Sequence, residues 1–308
     1  MPHSVLTVVT LIAPATGPVL DNRIVGDVRA RLNTLGAEAG PPDWLSAGIA
    51  CDLMIPDLSP DVAEAAALAA FDGQPFDVVA QLNDHRRKSL LVADMDATIV
   101  TTETLDELAT EAGLKDKIEA ITTRAMRGEL DFDAAVKQRV KLLKGLSTKA
   151  LTKTWKATQL TPGARTLVQT MRANGAHTLL VSGGFTYFTE RAAKACGFHG
   201  HKGNVLETKD RALTGGVKQP VLGAAAKYET LVSTAADLRL PLVETLTVGD
   251  GANDERMIRA AGLGVAFHGK PILRDAARAR IDHTDLTALL YIQGYRAGEF
   301  VTALRADN

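Results

Sequence analysis

Four aspartates sit in two short stretches, and each stretch closes an apolar run. In LLVADMDATIV, Leu90, Leu91, Val92 and Ala93 lead into Asp94 and Asp96; in TLTVGDGANDERM, a similar run leads into Asp250 and Asp254, with Gly249 and Gly251 keeping the backbone tight. Side chains at i and i+2 of an extended chain point the same way, so Asp94 and Asp96 are expected to share one face or one crevice. Two bare carboxylates there would raise one pKa sharply. A hard divalent cation removes the conflict, and an all-oxygen donor set suits Mg2+. HTLLVSGGF offers the complement: Ser182 and the backbone N–H groups around Gly183 and Gly184 can cradle an anion where a helix begins. Lys227, in GAAAKYETL, is a candidate cation. Acid for a metal, donors for an anion and a lysine together describe a phosphate-transfer site. Alone, each piece is ordinary: a DxD is commonly a turn or helix cap, SGG a loop, a lysine a solvated charge. Their order, each beside an expected strand end or helix, carries the reading.

Strands must deliver these groups. KSLLVADM, HTLLVSGG, ETLTVGDG and GLGVAF read as four short Leu/Val-rich strands alternating with helices, which predicts a parallel α/β sheet with its chemistry at the carboxyl ends. GNVLETKDRALTGGV reads as a hairpin between two of them. Between about residues 101 and 161 the chain runs through LDELATEAG, DKIEAITTRAMRG, DFDAAVKQRVKLLKG and STKALTKTWKAT without a clear strand. That is far longer than an ordinary crossover, so a helical cap inserted after the first strand is predicted. Residues 1–84 form a different pattern. SVLTVVTLIA is a strand, DNRIVGDVRARLNTLG an amphipathic helix, and WLSAGIACDLMI two strands folded at residues 46–48. SPDVAEAAALAAF begins with Ser59 as N-cap and Pro60 at the first helical position, and FDVVAQL is a last strand. The order β-α-β-β-α-β predicts a ferredoxin-like α+β unit. DHRRKS, residues 84–89, reads as a charged connector to a second domain at residues 85–308.

A chain of 308 residues suggests about two domains. A net charge of −1, 5% aromatics and no Lys/Arg-rich run argue against nucleic acid or an anionic membrane surface as partner. Cys51 and Cys196 have no metal-ligand spacing and read as reduced, buried thiols of a cytoplasmic protein. The first twenty residues include Ala13-Pro14-Ala15, like a signal cleavage site, but lack a positive n-region and are interrupted by Thr7, Thr10 and Pro14. They read as a strand, and no run is long enough to span a membrane.

The motif set resembles the haloacid dehalogenase-like phosphohydrolases. Their DxDx[TV] motif is matched by Asp94-Met95-Asp96-Ala97-Thr98, their strand-terminal Ser/Thr by Ser182, their Lys by Lys227 and their GDxxxD by residues 249–254. The resemblance implies a Rossmann-like sheet and an aspartyl-phosphate mechanism. Asp94 would be the nucleophile and Asp96 the general acid and base. Mg2+ would be held by Asp94, the Asp96 carbonyl and Asp250, with Asp254 orienting that shell. Ser182, Gly183, Lys227 and Asn253 would hold phosphate, and Thr98 would fix the loop. Within this group the chain is similar to the phosphoserine phosphatase family over about two thirds of its length, through DMDATIVTTETLDELATEAG, VSGGF, VGDGANDERM and AFHGKPIL. That implies hydrolysis of O-phospho-L-serine, the last step of serine biosynthesis. Glu103 would face the substrate ammonium, Arg139 its carboxylate, and Met126 and Phe132 its apolar wall. Long members carry an N-terminal ACT-like module, which implies a homodimer or a serine feedback ligand. Ala97 departs from the serine frequent at that position. The alternatives are transfer of the phosphoryl group to another alcohol such as homoserine, and an amino-acid sensor with a vestigial phosphatase domain.

Overall fold

The computed structural model describes residues 6–126 and 129–302. The chain opens with β1 (Leu6–Ile12), α1 (Asn22–Asn33), β2 (Asp43–Ser46), β3 (Ala50–Pro56), α2 (Pro60–Ala70) and β4 (Asp77–Leu82). The strands form an antiparallel sheet in the order β2-β3-β1-β4. Asp21 starts α1 by accepting a 2.7 Å hydrogen bond from the Ile24 amide. Ser59 stands at the N-cap of α2, although its hydroxyl makes no capping bond there. Alternation sorts the sheet residues onto two faces. Val9, Leu11, Cys51, Leu53 and Val78 pack on Val25, Val28 and Ala63 of the two helices. Ile12, Ala50 and Val79 of the opposite face join the core of the rest of the chain.

That second face also corrects the reading of DHRRKS as a charged connector. Arg86 is buried, with its Nη1 and Nη2 bonded to the Asp52 carboxylate at 2.7 and 2.8 Å. Its remaining N–H groups reach Thr10 Oγ1, Ile292 O and Tyr291 O at 2.9, 2.9 and 3.2 Å. A guanidinium has five donors, and its burial here is tolerable because Asp52 pairs its charge and Nε, Nη1 and Nη2 all find acceptors. Lys88 is buried too, and its Nζ donates to Val243 O at 2.8 Å.

The second part begins with β5 (Leu90–Ala93) and four helices, α3 (Thr104–Glu111), α4 (Lys115–Met126), α5 (Phe132–Leu142) and α6 (Thr148–Ala157). These fill the segment read as the cap. Then follow α7 (Ala164–Ala173), β6 (His177–Phe185), α8 (Thr186–Cys196), β7 (Gly200–Asn204), β8 (Leu206–Lys209), β9 (Ala212–Val217) and α9 (Ala224–Asp237). The chain ends with β10 (Thr245–Gly249), α10 (Glu255–Ala260), β11 (Leu263–Phe267), α11 (Pro271–Ala276), β12 (Ala279–Ile281) and α12 (Ala288–Tyr291). Six strands pair in parallel in the order β12-β11-β10-β5-β6-β7. The sheet therefore gains two edge strands, β7 and β12, beyond the four expected. GHKGN and ARI are too short and polar to show a buried-strand pattern alone. The hairpin is narrower than expected, β8 and β9 only, and it joins the cap: Gly145 N donates to Leu213 O at 2.8 Å and Leu213 N to Leu146 O at 2.9 Å. The cap thus has two inserted parts. Because β5 lies between β6 and β10, the loops after these three strands open at one place.

Candidate active site

Asp94 follows β5 directly. Its Oδ1 accepts from the Met95 amide at 2.8 Å and pairs with Lys227 Nζ at 2.7 Å. The chain then turns sharply. Ala97 takes the left-handed conformation, φ 52°, unusual for a residue with a Cβ. Asp94 and Asp96 line one crevice just past the end of β5. Asp96 Oδ1 accepts from the Thr104 amide at the start of α3, 2.8 Å, and Oδ2 from Ser182 Oγ, 3.1 Å. Burial pushes the Asp96 carboxyl up, and the Thr104 bond only partly opposes this. Ser182 Oγ in turn accepts from Gly184 N at 2.8 Å. A Cβ on Gly184 would stand 2.9 Å from Asp96 Oδ2, so this close approach requires glycine.

Lys227 is not a solvated charge. It is 1% exposed, and its Nζ bridges Asp94 Oδ1 and Asp254 Oδ1, both at 2.7 Å. Burial opposes its charge, yet the two carboxylates hold its pKa above the ordinary lysine value. Asp94, Asp250 and Asp254 bring carboxylate oxygens within 4.8 Å of one another, all buried. Burial, then the charge of Asp254, pushes the Asp94 carboxyl well above its usual range against the pull of Lys227. Lys227, bridging two of the carboxylates, and Lys270, 3.2 Å from Asp250 Oδ2, still leave the three short of positive charge. The donors are all hard oxygens, and a divalent cation supplies the missing charge. The residues present fit such a metal. Asp96 contributes no side-chain oxygen to this group.

A cavity of about 370 Å³ opens above the cluster. Asp94, Asp96, Asp250, Ser182, Gly183 and Asn253 line it, and Glu103, Phe132 and Arg139 line it from the cap side. Lys227 and Asp254 lie beneath the carboxylates and not on the cavity wall. Burial, then Asp96 and Asp250, pushes Glu103 up to about 7. Burial lowers Arg139, with Asp106 and Glu103 opposing. The Phe132 ring rests on two glycines: a Cβ on Gly183 or Gly223 would approach it to 3.1 or 2.9 Å. Met126 ends α4, and its side chain lies outside the described residues. Thr98 is buried behind the loop with its hydroxyl unpartnered.

The sequence reading missed Lys270. It lines the cavity, its N donates to Asp250 O at 2.8 Å, and its Nζ lies 3.2 Å from Asp250 Oδ2. The available signal was the GKP that follows the fourth parallel strand, a carboxyl-end position like those already chosen.

Residues 91–259 match the family model of the haloacid dehalogenase-like hydrolases. The chain belongs to this family. Among curated relatives of this hydrolase, the phosphoserine phosphatase of Streptomyces coelicolor is 40% identical over 240 residues, covering 78% of this chain and 58% of that one. The phosphoserine phosphatase of Streptococcus thermophilus is 42% identical over 205 residues, 67% of this chain and 95% of that one. The hydrolase thus aligns with little more than half of the Streptomyces protein. Its fold is similar to a HAD family hydrolase from Salmonella enterica serovar Typhi, TM-score 0.82, 28% identity, covering 93% and 98% of the two chains. It is also similar to a substrate-bound phosphoserine phosphatase complex, TM-score 0.62, 38% identity, covering 67% and 98%.

Proposed function

We propose that this hydrolase cleaves O-phospho-L-serine to serine and phosphate, with Mg2+ as its metal, through a phosphorylated Asp94. One observation carries the reading: a single cavity has Asp94 and Asp96 at its floor and Glu103 and Arg139 at its cap side. That spacing of charges matches a substrate with a phosphate at one end and an ammonium and a carboxylate at the other. Arg suits the carboxylate because it can bond both oxygens.

Met95 N and Lys227 occupy Asp94 Oδ1, which leaves Oδ2 to attack phosphorus. The P–O bond to serine breaks as the Asp94–P bond forms, and protonated Asp96 gives its proton to the leaving alkoxide. The raised Asp96 carboxyl suits this task. In the second half Asp96 takes a proton from water, whose oxygen attacks phosphorus and frees the Asp94 carboxylate. Ser182, the N–H group of Gly183 and Asn253 hold the phosphoryl oxygens. Lys227 holds Asp94 and Asp254 in place from below. Mg2+, held by Asp94, Asp250 and the Asp96 carbonyl, with Asp254 orienting the shell, would neutralise charge on the transferred group. The cap, with Phe132 on the apolar wall, excludes bulk water.

Residues 1–84 are proposed to be an ACT-like regulatory or dimerising domain joined to a phosphatase domain at residues 85–308. The element order and the β2-β3-β1-β4 sheet support this. Serine is its proposed feedback ligand and a second copy its proposed partner. A cytoplasmic location is supported by the free thiols of Cys51 and Cys196. Among the described residues no helix is long and apolar enough to cross a membrane.

Phosphate release from phosphoserine, phosphothreonine and sugar phosphates, with Mg2+ and with chelator, tests the reading. Phosphoserine should be favoured, and Asp94→Asn should reduce release to background while remaining folded. Equal turnover across the panel would overturn the substrate, and an active Asp94→Asn the nucleophile. Added homoserine should not be phosphorylated.

A further inference from the structure

We propose that Asp77, on β4 of the N-terminal sheet, is a positioning residue for the active site, acting through Thr284 and His268 on Lys270. The inference rests on the reading of the cavity as the substrate site, and it adds Lys270 as a substrate-facing cation beside Arg139.

The path is continuous. Asp77 is buried and takes five hydrogen bonds from the turn after β12. Its Oδ1 accepts from Asp282 N at 2.8 Å and His283 N at 3.2 Å, and its Oδ2 from His283 N, Thr284 N and Thr284 Oγ1 at 3.3, 2.9 and 2.6 Å. A carboxylate that gathers three successive amides and a hydroxyl sets the shape of that turn. Thr284 O then lies 3.0 Å from His268 Nε2. A carbonyl can only accept, so Nε2 carries the proton and donates. His268 is bound at its other end as well, its N donating to Ile281 O at 2.8 Å.

His268 is also strained in a way that needs such support. Its φ is 44°, in the left-handed region. The bend it makes ends β11 and turns the chain so that Lys270, two residues on, meets Asp250 through both its backbone and its side chain. Of the residues lining the cavity, Arg139 and Lys270 are the cations. Arg274 on α11 pairs with Asp282 at 2.5 Å and closes the same turn from the other side. A carboxylate of the N-terminal sheet thus reaches, in two linked contacts, the turn that presents an active-site lysine. No contact between residues 1–84 and the cavity wall is needed for the first unit to affect turnover.

The test is a double-mutant cycle on the full chain, with Asp77→Asn, Lys270→Met and the pair. Each is assayed on phosphoserine and on an aryl phosphate, so that absent phosphoserine turnover is read as failure of the substrate assignment alone. Asp77→Asn is expected to lower kcat/KM by about 10- to 100-fold, the range for supports behind active groups. The pair should fall no more than about 2-fold below Lys270→Met, the limit within which independent sites add. Multiplying effects, or an unaffected Asp77→Asn, overturn the proposal.

A second measurement needs no turnover. The Lys270 side chain is half-exposed with its Nζ paired to Asp250, so amine acylation followed by mass spectrometry should label it faster, through loss of that pair, in Asp77→Asn and in His268→Gly, which permits the left-handed backbone without the imidazole. His268→Gln, which keeps a donor, should restore the wild-type labelling rate. Lys88 and Lys227, both buried, serve as controls. If they gain label in step with Lys270, the effect is general loosening and the positioning role fails.

Discussion

Lys227→Met keeps the length and apolar stem of the side chain and removes only its charge. In the metal-free chain this leaves Asp94 and Asp254 buried and facing each other, each having lost a 2.7 Å partner. Removing one member of a buried ion pair costs about 3–5 kcal/mol. Unfolding entropy near 2.1 cal/mol/K per residue, over 308 residues, gives about 0.65 kcal/mol/K, so the melting temperature should fall by about 5–8 °C. Two conditions should close the gap. Lower pH protonates Asp94, whose carboxyl is already pushed upward. The sign follows from linkage: a carboxyl whose folded pKa is raised binds its proton better when folded, so stability falls as pH rises through that window. Mg2+ should close the gap as well, because the variant offers it a more negative cluster and binding to the folded state alone stabilises. The assay is thermal unfolding of wild type and variant at pH 8 with chelator, at pH 8 with Mg2+, and at pH 5.5 with chelator. A difference under about 1 °C in the first condition, or one that neither acid nor Mg2+ reduces, would refute the charge-compensation argument.

Arg139→Ala should lower kcat/KM for phosphoserine by about 10- to 100-fold, the worth of one charge-assisted bond, and leave an aryl phosphate nearly untouched; equal losses sink the carboxylate role. Glu103, raised to about 7, should lose its charge below that pH and with it the substrate ammonium. The kcat/KM for phosphoserine should therefore drop on the acid side relative to the aryl phosphate. Glu103→Gln should abolish that difference, and rising Mg2+ should move it to lower pH by masking Asp250. Gly223→Ala places a Cβ 2.9 Å from Phe132 Cδ1, an overpacking that should cost about 1–3 kcal/mol and slow turnover. Phe132→Leu in that background should recover part of the stability, and a failure to do so would show that the clash lies elsewhere.

The motif residues were legible because a parallel sheet places its working groups at strand ends, and strand ends are marked locally. Apolar runs that stop at Asp94, Ser182 and Asp250 need no distant information. Neither does the cap, since a long helical insertion shows in its own periodicity. The amphipathic helices and paired strands of the first unit were readable for the same reason. Edge strands were not: GHKGN becomes β7 only because β6 lies beside it. Nor was the hairpin's place, since what holds β9 to the cap is a set of backbone bonds, from Leu213 to Gly145 and to Leu146.

What the sequence by itself determined is a set of candidate groups for the chemistry and the order in which they come along the chain. Only the tertiary structure decided which charges lose their water. Arg86 and Lys227 look like solvated cations in sequence, yet one meets Asp52 and two carbonyls and the other meets Asp94 and Asp254. Asp77 and Lys270, far apart in the chain, are joined through one turn and one imidazole. A charge is buried only when its partners arrive together, and those partners come from distant segments that no local pattern relates.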